Sequence, residues 1–86
     1  MPEICRFYGI VIKMFFDDHN PPHFHAEYAD YEALIDVNTL AVFSGRLPTR
    51  ALALVSEWAT LHHEELLLDW QKAKSLEPLE KIEPLP

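Results

Sequence analysis

HFHAEYADYEALIDV, residues 23 to 37, is the stretch on which the fold turns. Phe24, Ala26 and Tyr28 alternate with His23, His25 and Glu27, and Tyr31, Ala33, Ile35 and Val37 resume the alternation beyond Ala29-Asp30. A period of two puts successive side chains on opposite faces of a strand. With Ala29-Asp30 as a two-residue turn, Tyr31, Ala33 and Ile35 fall opposite Tyr28, Ala26 and Phe24 in order, which is the register of a hairpin. The same register sets Asp36 across from His23 on the polar face.

On the N-terminal side, ICRFYGIVIKMFF (residues 4–16) carries β-branched and aromatic residues at both parities and reads as one central strand covered on two faces. On the C-terminal side a turn at Asn38-Thr39 leads into a strand at LAVF, 40–43, and Gly45 releases the chain. From Pro48 the period changes to threes and fours, through Ala51, Leu54, Val55, Trp58, Leu61, His62, Leu66, Trp70 and Ala73. This predicts helix from about Pro48 to Lys74, either as one long helix or as two broken near Leu61-His62-His63. The expected class is α+β: an antiparallel meander of about four strands, then one long or two shorter helices packed on one face. A single domain over 1–76 precedes an extended Pro/Glu-rich tail, 77–86, which docks on its own domain or on a partner. Tyr8, Ile10, Ile12, Phe24, Ile35, Trp58 and Trp70 are the expected core. Phe7, Val11 and Phe15 are expected on the face away from the helices, as an apolar patch for a homodimer or a bound partner to cover.

Composition narrows the function. The 86 residues are 49% apolar and hold 14 acidic against 7 basic side chains, a net charge of −7 that opposes tight non-specific nucleic-acid binding. The lone Cys5 forms no internal disulfide, and no leader-like segment opens the chain, so the cytoplasm is the expected compartment. GIVIKMFF, interrupted by Lys13, is far short of the ~20 residues of a membrane helix, and no membrane role is expected.

The chemistry concentrates in FFDDHNPPHFHAEY, residues 15 to 28. His23 and His25 leave one strand face, and His19 sits four residues earlier across a Pro-Pro corner, with Asp17 and Asp18 beside it. Three readings are open. His19, His23 and His25, with Asp36 as fourth ligand or as the acceptor that fixes a tautomer, suit a divalent transition metal such as zinc, manganese, iron or nickel. Without metal, His19, His23, His25 and Asp18 form an acid/base group, since imidazole titrates near neutrality. Alternatively Asp18 and Asn20 close an Asx-turn, Pro21-Pro22 stiffens the corner, and the stretch is architecture. The second cluster, LHHEELL (61–67), fails the HExxH pattern because Leu67 stands where the second histidine belongs. There His62 is expected to be partly buried and His63 exposed. Cys5 lacks an activating partner, and two glycines are too few for a phosphate-cradling loop.

CRFYGIVI, DDHNPPHFHAEY, YEALID, RLP, LVSEWATLHHEEL and EPLEKIEPL together resemble the small bacterial family known as domain of unknown function 4160, over nearly the whole chain. DHNPPHFH is the most specific segment. The signature falls on Asp18, His19, Asn20, Pro21, Pro22, His23, Phe24 and His25, with Arg6, Tyr8 and Trp58 as further matches. Cys5 departs from the pattern, where serine is usual. The resemblance implies a short cytosolic protein, paired in some members with a small antitoxin-like partner as the toxin of a two-protein module. It implies no established activity. Two expectations follow: a toxin-like enzyme acting on RNA or a nucleotide, with Arg6, Arg46 or Arg50 steadying phosphate, or a non-catalytic module that binds its small neighbour through a sheet edge or the tail.

Overall fold

The computed structural model describes residues 3–16 and 19–86. Five strands, β1 (Glu3–Phe7), β2 (Ile10–Lys13), β3 (His23–Tyr28), β4 (Tyr31–Asp36) and β5 (Val42–Gly45), precede two helices, α1 (Thr49–Leu61) and α2 (His63–Lys74). The strands form one antiparallel sheet in sequence order. The β3–β4 hairpin has the register its alternation predicts, with Tyr28 opposite Tyr31, Phe24 opposite Ile35 and His23 opposite Asp36. Pro22 extends that ladder by one more bond, its carbonyl accepting the Val37 N–H at 2.9 Å.

The apolar run 4–16 is a hairpin instead of the single strand expected. Tyr8 and Gly9 both adopt positive φ (49° and 81°), the conformation of a tight two-residue turn whose twist matches the strands it joins. Phe7 thereby pairs with Ile10. Two expectations are overturned as a result: Tyr8, at the turn, is 60% exposed, and Phe7 lies in the core, its ring centroid 5.4 Å from that of Trp58. Ile10, Ile12 and Met14 share the inner face, while Val11 and Phe15 are half-buried on the outer one.

The fourth connection also differs from the expected strand at 40–43. Asp36 Oδ1 accepts the N–H groups of Asn38 (2.7 Å) and Thr39 (2.9 Å), an Asx-turn. Leu40 then takes a left-handed conformation (φ 62°), so β5 starts only at Val42. It ends at Gly45, where φ is 72° and an added Cβ would lie 2.0 Å from the Glu32 carbonyl oxygen.

Pro48 caps α1 without an N–H to satisfy, and its carbonyl accepts the Leu52 N–H at 2.9 Å. The helical region is two helices. His62 leaves helical geometry (φ −117°, ψ 29°), yet its N–H still reaches Trp58 O (3.1 Å) and its carbonyl still accepts from Leu66 (3.0 Å). The chain bends there while both backbone groups of His62 stay bonded. Trp58 packs over Phe7 and Phe24 at the centre of the core, and Leu66, Trp70 and Ala73 continue the buried face along α2. The tail lies along its own domain: Ile82 N–H bonds to the Ile4 carbonyl at the β1 edge (2.9 Å), Trp58 Nε1–H to Glu83 O (2.8 Å), and Ile82 and Leu85 join the core. No helix among the described residues is long and apolar enough to cross a membrane.

Candidate functional site

The outer face of β3 carries His23 and His25, and the strand's pleat is what sets them side by side, with ring centroids 5.4 Å apart. His23, expected on a solvated polar face, is buried at 5% exposure. The expectation fails because aromatic rings from two other elements close over it: Phe43 of β5 stands edge-on at 5.3 Å and Trp70 of α2 lies tilted at 5.3 Å. Phe15 packs edge-on against His25 at 4.5 Å.

Each imidazole is anchored through the same nitrogen. His23 Nδ1–H donates to the Pro21 carbonyl oxygen at 2.8 Å, and His25 Nδ1–H donates to Glu32 Oε2 at 3.3 Å. Both acceptors lack a proton to give, so both Nδ1 atoms carry hydrogen and a neutral ring keeps its lone pair on Nε2. A carboxylate behind His25 also stabilises the imidazolium formed when Nε2 takes a proton. Lys13 is the direct cross-strand neighbour of His25 and holds Glu27 at 3.1 Å, which places one cation and two carboxylates around the pair.

The remaining sequence candidates divide. Asp36 stands across from His23 as read, and its Oδ1 is committed to the turn that follows. His19 is exposed in the loop before the cis Asn20–Pro21 bond. Asp17 and Asp18 lie outside the described residues. Among the described residues, no three or more His, Cys, Asp or Glu side chains are grouped so as to hold a metal ion. The arginines proposed for phosphate lie elsewhere: Arg6 pairs with Glu3 (2.9 Å) on the edge strand, Arg46 stacks over Tyr31 (5.3 Å), and Arg50 belongs to α1. Tyr31 pairs with Tyr28, five strand positions from His23, or about 17 Å at ~3.3 Å per residue. In the second cluster His62 and His63 are both half-buried, His62 bonded to Glu65 and His63 to Asn38 Oδ1 at 3.0 Å. Burial raises the Cys5 thiol above its ordinary range, in keeping with an inert core residue.

Lys13, Glu32, Phe43 and Trp70 are the members of the site that sequence reasoning missed. Trp70 was legible as a core residue, but no local pattern links a helix position to a histidine some fifty residues earlier. Lys13 and Glu32 become neighbours of His25 only once the register of both hairpins is known.

In comparison with known families, residues 9–71 match the one described as Domain of unknown function (DUF4160). The chain belongs to this family. Lys13, Phe15, His23, His25, Glu32, Phe43 and Trp70 all fall inside the DUF4160 segment, whereas β1 and the tail fall outside it. No curated protein and no solved structure matched the chain.

Proposed function

We propose that this DUF4160 protein is the toxin-like component of a two-protein module and acts on RNA or a nucleotide by proton transfer at His23 and His25. The observation that supports this reading best is the pair of adjacent imidazoles, each donating through Nδ1, and the reading assigns the chemistry to Nε2. Cleavage of an RNA strand at its own 2′-hydroxyl needs one base and one acid. His25, backed by the Glu32 carboxylate, takes the 2′-hydroxyl proton as that oxygen attacks the adjacent phosphorus. His23, protonated on Nε2 and faced by the Phe43 and Trp70 rings, returns a proton to the 5′ oxygen as its bond to phosphorus breaks. Lys13 offers the nearest positive charge to the phosphate. The net charge of −7 weakens long-range attraction, so a short single-stranded substrate suits the face better than a long duplex.

The test is turnover of a short RNA by the purified protein and growth arrest on its induction. His25→Ala should lower the rate by roughly a hundredfold or more while circular dichroism stays unchanged. An inactive parent protein, or an active His25→Ala variant, overturns the reading.

A second reading, a non-catalytic module for a small protein partner, draws on the β5 edge. The tail bonds to the opposite edge at Ile4, whereas β5 carries Phe43 at 47% exposure beside an open strand edge. Under that reading Phe43→Lys abolishes pairing, and His25→Ala leaves it intact.

A further inference from the structure

A cleft of ≈570 Å³ opens between the Tyr8-Gly9 turn, the start of α1 and the end of the tail, reaching Tyr28 at the opposite end of β3 from His23. Its walls are Tyr8 and Tyr28 on the sheet and Pro48, Arg50, Leu54 and Glu57 on the helix. The volume is that of an ordinary small-molecule site. Three features define what it suits.

Two tyrosine rings come first. Tyr28 packs beneath the turn, a Cβ at Gly9 lying only 3.5 Å from its ring, and Tyr8 rises beside it. The turn sets the left-handed conformation of Tyr8 (φ 49°), and its side chain is 60% exposed, so core packing does not account for the ring. Its hydroxyl donates to the Pro86 main-chain oxygen, which fixes the ring as a wall of the cleft. The second feature is Arg50, in the first turn of α1, with no ion pair among the described residues; the helix N-terminus adds to its positive field. The third is Glu57, on the same helix face two turns on, about 10 Å away along the axis at ~1.5 Å per residue. It too has no ion pair among the described residues, and it offers an acceptor for N–H groups.

We propose that this cleft binds a nucleoside monophosphate: the base against Tyr8 and Tyr28, its exocyclic amine donating to Glu57, and the phosphate on Arg50. These features answer to a planar ring, an amine and an anion on one molecule, the last two about 10 Å apart, and a mononucleotide carries all three at about that length. Aromatic stacking and a guanidinium–phosphate pair are the interactions that such ligands reward. The site is independent of the histidine chemistry. It stands or falls separately from the proposed function.

The experiment is calorimetric titration of the full chain with AMP, adenosine and inorganic phosphate. AMP should bind in the sub-millimolar range, and adenosine and phosphate alone at least roughly tenfold more weakly. Arg50→Ala should weaken AMP by a similar factor. Tyr8→Asn removes the ring while supplying a residue that favours positive φ, so it should lose AMP binding while circular dichroism shows the fold retained. Absence of AMP binding to the folded parent, phosphate binding as tight as AMP, or unchanged AMP binding in both Arg50→Ala and Tyr8→Asn would each overturn the proposal.

Discussion

Leu76 shows how much the individual residue decides. It occupies the position just past α2 where the chain turns left-handed (φ 58°), with the Glu77 N–H reaching back to Lys72 O at 2.8 Å. Glycine is the residue this cap ordinarily uses, and Leu76 is 68% exposed, so its side chain gains little from packing. Leu76→Gly should therefore stabilise the protein by about 0.5–1 kcal/mol, read as a higher denaturant midpoint at unchanged slope. Asp69 is the opposite case, a charge where none is wanted. It is buried on α2, with Oδ1 accepting the Glu80 N–H at 2.9 Å and Oδ2 without a partner. Burial raises its carboxyl above the ordinary carboxylate value, and the Glu80 N–H only partly offsets this. The folded state thus holds this proton more tightly than the unfolded chain does. The stability it contributes is complete below about pH 4, the unfolded value, and is lost as pH rises through the raised folded one. Asp69→Asn keeps the acceptor and removes the charge. Denaturant unfolding from pH 4 to 7 should show a flatter profile for the variant and greater stability at neutrality.

At the scale of elements, turns account for most of what sequence did and did not disclose. The β3–β4 hairpin was legible because strict alternation runs through both strands and only one register brings like faces together. The β1–β2 hairpin was not, because its turn is built from Tyr8 and Gly9 inside an unbroken apolar run, and tyrosine is no signal for positive φ. Leu40 hid the start of β5 in the same way. The histidine pair was legible from spacing alone. Its burial was not, since Phe43 and Trp70 reach it only through tertiary packing. Gly45 was read as a release point, and the structure gives the reason: a methyl group there would strike the Glu32 carbonyl, whose oxygen accepts the Arg46 N–H at 3.0 Å. Gly45→Ala should cost well over ~1 kcal/mol and loosen β5 first, seen as amide exchange rising in Val42–Gly45 before the rest of the sheet.

For the whole molecule, the tail is as structural as the helices. Ile82 and Leu85 complete the core, and the Ile82 bond to Ile4 occupies part of the β1 edge that an antiparallel sheet would otherwise present to a second chain. A chain ending at residue 76 should unfold at lower denaturant and, at high concentration, sediment as larger species than the parent. Equal stability and equal sedimentation would show the tail to be an accessory. The outer face, in contrast, gathers the imidazoles of His23 and His25, on which the proposed function rests. The proposed proton transfer requires that both rings, side by side on that face, hold hydrogen on Nδ1 when neutral. Nitrogen-15 spectra of the imidazole rings in the native protein, recorded where both are neutral, read this directly. Both rings should carry their proton on Nδ1; a neutral ring of either residue protonated on Nε2 would rule the proposed chemistry out.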